Sequence, residues 1–458
     1  MHKESEMHEF QKRVADAIVA RVKIACWLDC GLGKTIIAMT AARRLLDEGR
    51  IHSVLVIAPK SVCENVWAQE AVSWEHTKNL RVSIIAGNAS ERLKAADTSA
   101  DIYVVSRDNF AWLSETNTRA ITDTDMLVLD ESTSFKHRNK RWKALCQRGK
   151  RKRPLFHQYR YIVLLSGSPA SESYEGLWAQ MYILDGGQRL GKSITRFRQT
   201  YMECRLIHNR LIYTDFKPWA IKAIDDLLKD ICISMKKEDY LQLPERLDIV
   251  RYTGYEPCAT YKAMERDGVV EVDGVHILSV EATVRYGKLR QLCSGHIYDE
   301  LRVEHSCNDK KEQTMQELLE ELQSENVLVF YQYDFEREFL QRVCGAELID
   351  TPAQQRRWND GLIRVACAHP ASLGYGINLQ HGGNTVIWYS LPLSYEQYVQ
   401  GCDRLHRQGQ QHTVKVIHLV GKHTIEEKIY ALLKEKKANL LQSLMDAMKY
   451  NPLSKYKF

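Results

Sequence analysis

Short runs of valine, isoleucine and leucine recur along the chain, each followed by a stretch with helical spacing of apolar residues. In the first half the runs are IACWLD at 24–29, SVLVIA at 53–58, IYVV at 102–105, MLVLD at 126–130 and YIVLLS at 161–166. In the second half they are VLVFY at 327–331, AELID at 346–350, IRVAC at 363–367, TVIWY at 385–389 and VKVIHLV at 414–420. Unbroken apolar runs of this length predict parallel strands covered on both faces. Alternation with helices predicts an α/β protein of two doubly wound parallel-sheet units. The stretch 185–311 differs in texture, being amphipathic and charge-rich with few strand signals. KKEDYLQLPERLDIV at 236–250, punctuated by Pro244, reads as the crossing between the units. The expected domains are 1–240 and 241–458. Near the end, Thr424 and Glu427 have capping-box spacing, and Ile425, Ile429, Leu432 and Leu433 share a helical face. That predicts a helix docked on the second unit or, alternatively, one that binds a protein partner.

Composition narrows the class. A length of 458 residues suits two or three domains, and an apolar content of 44% supports large cores. Twelve cysteines contain no C-x-x-C pair, which argues against a zinc site and for a reduced, cytoplasmic setting. The opening MHKESEMHEF has no apolar core, so no secretory signal is expected. The apolar runs fall far short of the roughly 20 residues that span a bilayer, so no membrane association is expected. A monomer is compatible with the sequence. The net charge of +6 is local in origin: between Lys136 and Arg153 stand ten Lys or Arg and no acid. Such a cluster suits a phosphate backbone, or else is a solvated loop. Trp142 inside it either stacks on a base or anchors the loop.

Three segments carry the chemistry. CGLGKT at 30–35 follows a strand and opens a helix from about Lys34. Leu28 stands where the full phosphate-loop pattern has its first glycine. Gly31 and Gly33 still let the backbone curl so that amides face phosphates, and the helix offers its positive end. Lys34 suits the β and γ phosphates, and Thr35 suits Mg²⁺. MLVLDEST then places Asp130 and Glu131 at the carboxyl edge of a sheet, where ligands bind. Asp130 would join the Mg²⁺ site, and Glu131 would orient and deprotonate the attacking water. Far downstream lies DRLHRQGQ at 403–410, whose Arg404 and Arg407 could face one cleft if the segment is helical. An arginine reaching in from a second domain stabilises a transferring phosphoryl group. The layout is that of a motor that hydrolyses ATP between two domains.

Taken in order, these segments resemble the superfamily-two helicases, and within them the Swi/Snf-type ATPases, over nearly the whole chain. Phe10-Gln11 is similar to the adenine-reading Q motif, DCGLGKT to motif I and APKS at 58–61 to motif Ia, with Ser106 in the place of motif Ib. DEST is similar to motif II, with Thr133 where the family has His, and SGSP at 166–169 to motif III, followed by EGLW. LPER, LRQLCSG and SLGYGINLQ at 372–380 follow the family pattern. In the last, similar to motif V, Leu373 replaces a glycine and His369-Pro370 replaces a Ser-Thr pair. QGCDRLHRQGQ at 400–410 is the most specific match, and the wording resembles compact phage or bacterial members. The resemblance implies two RecA-like domains flanking an ATP cleft, with a helical crossover region and a C-terminal helix. It implies ATP and Mg²⁺, with Phe10, Gln11, Asp29, Gly31, Leu32, Gly33, Lys34, Thr35 and Gly376 binding nucleotide. Lys34, Asp130, Glu131, Gln400, Arg404 and Arg407 are then the catalytic set. Lys60, Ser61, Ser106, Arg107 and Gln332, with Arg138, Lys140 and Arg141 from the basic run, are nucleic-acid candidates. The implied activity is DNA-stimulated ATP hydrolysis with translocation along DNA, usually duplex and without strand separation, remodelling DNA or protein–DNA complexes. The alternatives are a strand-separating or branch-migrating helicase, or a nucleotide-gated clamp that does not move. The implied setting is a bacterial or phage-infected cytoplasm.

Overall fold

The computed structural model describes residues 1–147, 153–167, 174–207, 210–279, 281–373 and 378–435. Two compact units meet in sequence at Leu241 and Gln242.

The first unit contains β1 (Lys23–Leu28), β2 (Val54–Ala58), β3 (Val82–Ile85), β4 (Ile102–Ser106), β5 (Met126–Asp130), β6 (Tyr161–Ser166), β7 (Met202–Ile207), β8 (Arg210–Phe216) and β9 (Cys232–Met235). Seven of them form one sheet in the order β3-β4-β2-β5-β6-β1-β9. Every pairing in it is parallel. Strands β2, β4, β5 and β6 are buried at every position. The apolar runs are unbroken because helices cover both faces. β1 and β5 are separated by β6, so the carboxyl ends of these three strands lie side by side.

The second unit contains β10 (Arg246–Thr253), β11 (Val269–Val272), β12 (Val275–Leu278), β13 (His296–Tyr298), β14 (Glu304–Ser306), β15 (Val327–Phe330), β16 (Glu347–Leu348), β17 (Val365–Ala368), β18 (Thr385–Trp388) and β19 (Val414–Gly421). Its main sheet has the order β10-β19-β18-β15-β17-β16 and is parallel throughout. Successive residues feed different cores. Leu328 and Phe330 join the cluster with Trp358 and Trp388, while Val327 and Val329 join the one with Met315 and Leu340. This is the period-two geometry of a strand covered on both sides. Both units are thus doubly wound α/β folds.

The stretch 185–311 departs from its reading as strand-poor. Its described residues hold eight strands: two in the main sheets as edges (β9 and β10) and six in three antiparallel pairs (β7–β8, β11–β12 and β13–β14). The reason is exposure. β10 reads RLDIVRYT because much of its length faces solvent, so it carries no unbroken apolar run. Half-exposed β3 escaped for the same reason. The run at 346–350 shrinks to the two-residue edge strand β16.

The last described helix, Ile425–Lys434, buries Ile425, Ile429 and Leu433 against its own unit, while Leu432 stays half-buried. Its cap differs from the expected reciprocal box. Thr424 Oγ1 accepts from the Glu426 N–H at 3.2 Å, but Glu427 accepts from the His423 N–H at 2.9 Å. Glu426 is buried and paired with the fully buried Lys311 ammonium. Among the described residues, no helix is long and apolar enough to cross a membrane.

Candidate functional site

The phosphate loop is built on backbone that only glycine adopts cheaply. Gly31 and Gly33 have φ of +92° and +79°. Between β1 and the helix Lys34–Asp47, this turn points amides and the helix N-terminus to one side. Side chains elsewhere hold it there. Gln11, on the helix Glu9–Arg21, accepts from the His8 N–H at 3.0 Å and donates to the Leu32 carbonyl at 3.2 Å. The residue expected to read adenine therefore tethers the loop in this structure. Phe10 beside it is buried, stacked on His8 at 5.4 Å and tilted against Tyr240 at 5.0 Å. Asp29 accepts from the Lys237 N–H at 3.0 Å, tying the loop to the start of the helix Lys237–Tyr240.

The ends of β5 and β6 complete the arrangement. Lys34 Nζ donates to the Leu28 carbonyl at 3.0 Å, and a side chain at Gly167 would stand 3.7 Å from that ammonium. Gly167 of the SGSP segment thus abuts the loop; Ser168 and Pro169 lie outside the described residues. Asp130 and Glu131 are both buried. Burial draws the Lys34 ammonium down, but Glu131, Cys30, Asp130 and Asp29 together hold it above its ordinary value. Burial raises Asp130, partly offset by the indole N–H of Trp67, at 3.1 Å from Oδ2, and by Lys34. Glu131 sits at φ +53°, a left-handed turn rare for a side chain of its kind. There the chain bends sharply from the strand into the short helical turn Ser132–Phe135. Ser132 Oγ donates to the buried Gln180 at 2.8 Å and pins that turn in place. A lysine and two desolvated carboxylates at adjoining strand ends are a site for a polyanion with its counter-cation. Half-buried Thr35, opening the helix, and Asp130 offer the hydroxyl and carboxylate that a magnesium–triphosphate complex takes. Trp67 was not foreseen as part of the site. Its only sequence signal is a lone tryptophan in the polar run CENVWAQE.

Gln400, Arg404 and Arg407 belong to the second unit. The helix Tyr395–Cys402 carries Gln400, whose Nε2 donates to Glu396 at 3.1 Å, and it ends before the arginines. The segment 403–409 is therefore turns and not a helix, and the two arginines have unlike surroundings. Arg404 is 3% exposed and Arg407 is half-buried. Gly409, at φ +96°, closes the bend. Gln410 Nε2 then donates to the carbonyls of Gln380 and Gly383 at 3.0 and 2.9 Å. His406 Nε2 reaches the Pro244 carbonyl at 2.9 Å. Gly376 lies outside the described residues.

The nucleic-acid candidates divide. Arg107, following β4, and Arg141, on the helix Lys140–Cys146, come close to one another. Burial holds Arg141 below its ordinary value, the Arg107 guanidinium adds to this, and Asp108 opposes it at 3.2 Å. Exposed Arg138 lies over the Trp142 ring at 5.3 Å, and Lys140 is exposed. Trp142 itself is buried, donates to the Ala179 carbonyl at 2.9 Å and stacks on Trp178. It is an anchor and not a base-stacking platform. Residues 148–152 of the basic run lie outside the described residues. Lys60 is exposed near Glu64; Ser61 follows it on the helix Lys60–Asn65. Ser106 is buried and accepts from the Asn109 N–H at 3.3 Å. In the second unit, Gln332 lines a recess of about 350 Å³ with Tyr298, Tyr331, Tyr333, Asp334 and His369. His369 thus reaches the recess from the segment whose usual Ser-Thr pair it replaces.

Known proteins match this chain over the same segments. The SNF2-related domain matches residues 24–270. Protein p41 of Acyrthosiphon pisum secondary endosymbiont phage 1 is 31% identical over 445 residues, covering 92% of this chain and 94% of that protein. YwqA of Bacillus subtilis, whose name proposes an ATP-dependent helicase/translocase, is 25% identical over 443 residues. That match covers 89% of this chain and 45% of YwqA, so the chain spans under half of this longer relative. The solved Sulfolobus solfataricus SWI2/SNF2 ATPase core in complex with dsDNA aligns over 97% of this chain and 92% of that one, at 20% identity and a TM-score of 0.43.

Proposed function

The chain belongs to the SNF2-related family and is an ATP-hydrolysing, helicase-like enzyme; on that premise we propose that it is a DNA-stimulated ATPase that translocates along duplex DNA. The observation that carries this is the meeting of Lys34, Asp130, Glu131 and Gly167 at the carboxyl ends of β1, β5 and β6. Lys34 would take the β and γ phosphates, and the loop amides after Gly31 would cradle them. Magnesium would arrive with the triphosphate, be held by Thr35 and Asp130, and neutralise phosphate charge. Glu131, set apart by its left-handed backbone, would orient the attacking water and take its proton. We assign Arg404 and Arg407 to charge developing on the transferred phosphoryl group.

The DNA reading is supported by the close pair Arg107 and Arg141, joined by exposed Arg138 and Lys140. Arg141, held below its ordinary value by burial and then by the Arg107 guanidinium, would be relieved by an anion beside it, as a phosphate would be.

Phosphate release measured with duplex, forked and single-stranded DNA and with RNA tests this. Duplex DNA is expected to raise turnover most, Lys34→Ala to abolish it, and Glu131→Gln to retain nucleotide while lowering turnover by about 10²-fold or more. Turnover indifferent to every nucleic acid would instead favour the gated clamp. Stimulation confined to forked or branched DNA would favour a strand-separating or branch-migrating enzyme.

A further inference from the structure

Buried indoles in this chain mostly satisfy their N–H on backbone. Trp142, Trp178 and Trp358 donate to the carbonyls of Ala179, Gly191 and Leu379 at 2.9, 2.9 and 2.8 Å. Trp67 donates instead to a carboxylate, Oδ2 of Asp130, at 3.1 Å. Both partners are buried, Trp67 at 1% exposure and Asp130 at 5%. An indole has one donor and no acceptor, so a carbonyl would satisfy it as well. Its aim at the end of β5 therefore calls for a reason beyond packing.

The chain delivers the ring there by a short path. β2, the neighbour of β5 in the sheet, ends at Ala58. The helix Lys60–Asn65 follows, and after Val66 the helix Trp67–Ser73 begins at once. This second helix packs on the helix Lys34–Asp47 that opens at the phosphate loop. Cys63, buried one turn before Trp67, lies in the field of the same Asp130 carboxylate. A ring closed in by packed neighbours holds its N–H in one direction.

Asp130 has a competitor for its charge. It and the Lys34 ammonium lie in each other's field, yet Lys34 Nζ donates to the Leu28 carbonyl at 3.0 Å. A carboxylate free to rotate could close on that ammonium, and the ion pair would withdraw both groups from a ligand. A donor fixed on Oδ2 opposes the rotation and leaves the remaining lone pairs of the carboxylate to a cation. Carboxylates that ligate metals are commonly held by such hydrogen bonds from behind.

We propose that Trp67 is a positioning residue, whose N–H keeps the Asp130 carboxylate set for magnesium and apart from Lys34. It acts through Asp130 alone. The inference rests on the reading of Asp130 as the carboxylate that takes magnesium with the nucleotide.

The test uses the full chain and a fluorescent ATP analogue, bound once in EDTA and once across a magnesium titration, with thermal melting alongside. Trp67→Phe keeps most of the ring and removes the donor. It is expected to raise the magnesium concentration at half-saturation by about tenfold or more, while affinity in EDTA stays within about twofold. Trp67→Leu removes the donor and more of the ring. It is expected to show the same magnesium shift as Trp67→Phe and to melt lower. The proposal is overturned if Trp67→Phe takes magnesium as the parent does. It is equally overturned if affinity in EDTA falls as far as affinity with magnesium, or if the magnesium shift grows from Phe to Leu in step with lost stability. Either result would make the indole a packing group of the loop. A parent that binds the analogue equally with and without magnesium would remove Asp130 from metal binding, and Trp67 with it. A parent that binds no nucleotide at all would bring down the ATPase reading itself.

Discussion

Gly33→Ala probes the phosphate loop through two separable strains. The first is backbone: φ at Gly33 is +79°, and an L side chain there costs about 1–2 kcal/mol. The second is contact. A Cβ at this position would stand 2.4 Å from Nε2 of Gln11 and 3.3 Å from Ile36. The Gln11 amide is the far end of a flexible side chain, so it yields, and in yielding it gives up the Leu32 carbonyl, a buried acceptor. Leaving that group unpaired costs about 1–3 kcal/mol. The whole is roughly 2–5 kcal/mol, or a fall in melting temperature on the order of 10 °C for a unit of this size. The loop can also relieve itself by opening locally, in which case part of the loss moves from stability into nucleotide affinity. A double-mutant cycle with Gln11→Ala separates the terms. Gln11→Ala alone loses the tether, and Gly33→Ala on that background meets no amide, so the tether is counted once. The double variant should melt higher than additivity predicts, by the worth of that hydrogen bond, about 1–3 kcal/mol. Thermal melting and phosphate release on all four proteins provide the data. Effects additive within about 0.5 kcal/mol, or normal melting and turnover in Gly33→Ala, would refute the account of how the loop is held.

Arg407→Ala, at a half-buried position, should lower turnover by about 10³-fold with nucleotide affinity little changed. Arg404→Ala, at a buried one, should lose stability as well as turnover, and normal turnover with DNA in both variants would remove the arginines from the chemistry. Lys311→Met leaves the buried Glu426 charge without its counter-ion, with the Gly421 N–H still donating to it, which should cost about 3–5 kcal/mol in urea unfolding; a loss below about 1 kcal/mol would contradict that burial. His418 gives a pH prediction. Burial pulls this imidazole down to about 4, against the Ile249 carbonyl and Asp248, which favour its charged form, and with Arg246 and Lys434 disfavouring it. Its folded value lies below its unfolded one of about 6.5. Its stabilisation is therefore complete above pH 6.5 and is lost as pH falls toward 4, at about 1.4 kcal/mol per unit. Urea unfolding of the parent and of His418→Asn between pH 7 and 4.5 should diverge with that slope, and parallel curves would discard the assignment.

Central strands were legible in the sequence because they are buried on both faces. MLVLD and YIVLLS need apolar residues at every position, and they appear as unbroken runs. Edges were not. β10 carries no unbroken apolar run because much of its length meets solvent, and half-exposed β3 offers no contrast with a loop. The loop glycines, Lys34 and the Asp130-Glu131 pair were legible because each residue type is demanded by its chemistry at a fixed place after a strand. Trp67 was not, since an indole donor on a carboxylate leaves no spacing rule. Trp142 was ambiguous because an aromatic in a basic run has the same sequence signature whether it faces a base or a core, and only its burial against Trp178 decides.

The segment QGCDRLHRQGQ illustrates why a motif can be so specific without every letter being chemical. Asp403, Arg404, Leu405 and Gln410 are buried. Gln410 gathers the carbonyls of Gln380 and Gly383, which ties this segment to the end of SLGYGINLQ. His406 binds the Pro244 carbonyl, which ties it to the residues entering β10. The segment LRQLCSG behaves alike: Arg290 donates to the Leu391 carbonyl at 2.6 Å, and Ser294 shares Glu336 with Ser390. In the first unit Gln11 and Asp29 do the same for the phosphate loop. The recurring device is a polar side chain that holds another segment, most often by its backbone carbonyls or amides. Because each such bond joins two distant segments, a change in one letter misplaces a second motif. That makes the whole set appear together in a sequence, and it predicts that Gln410→Ala will disturb the Gln380 segment before it disturbs either arginine.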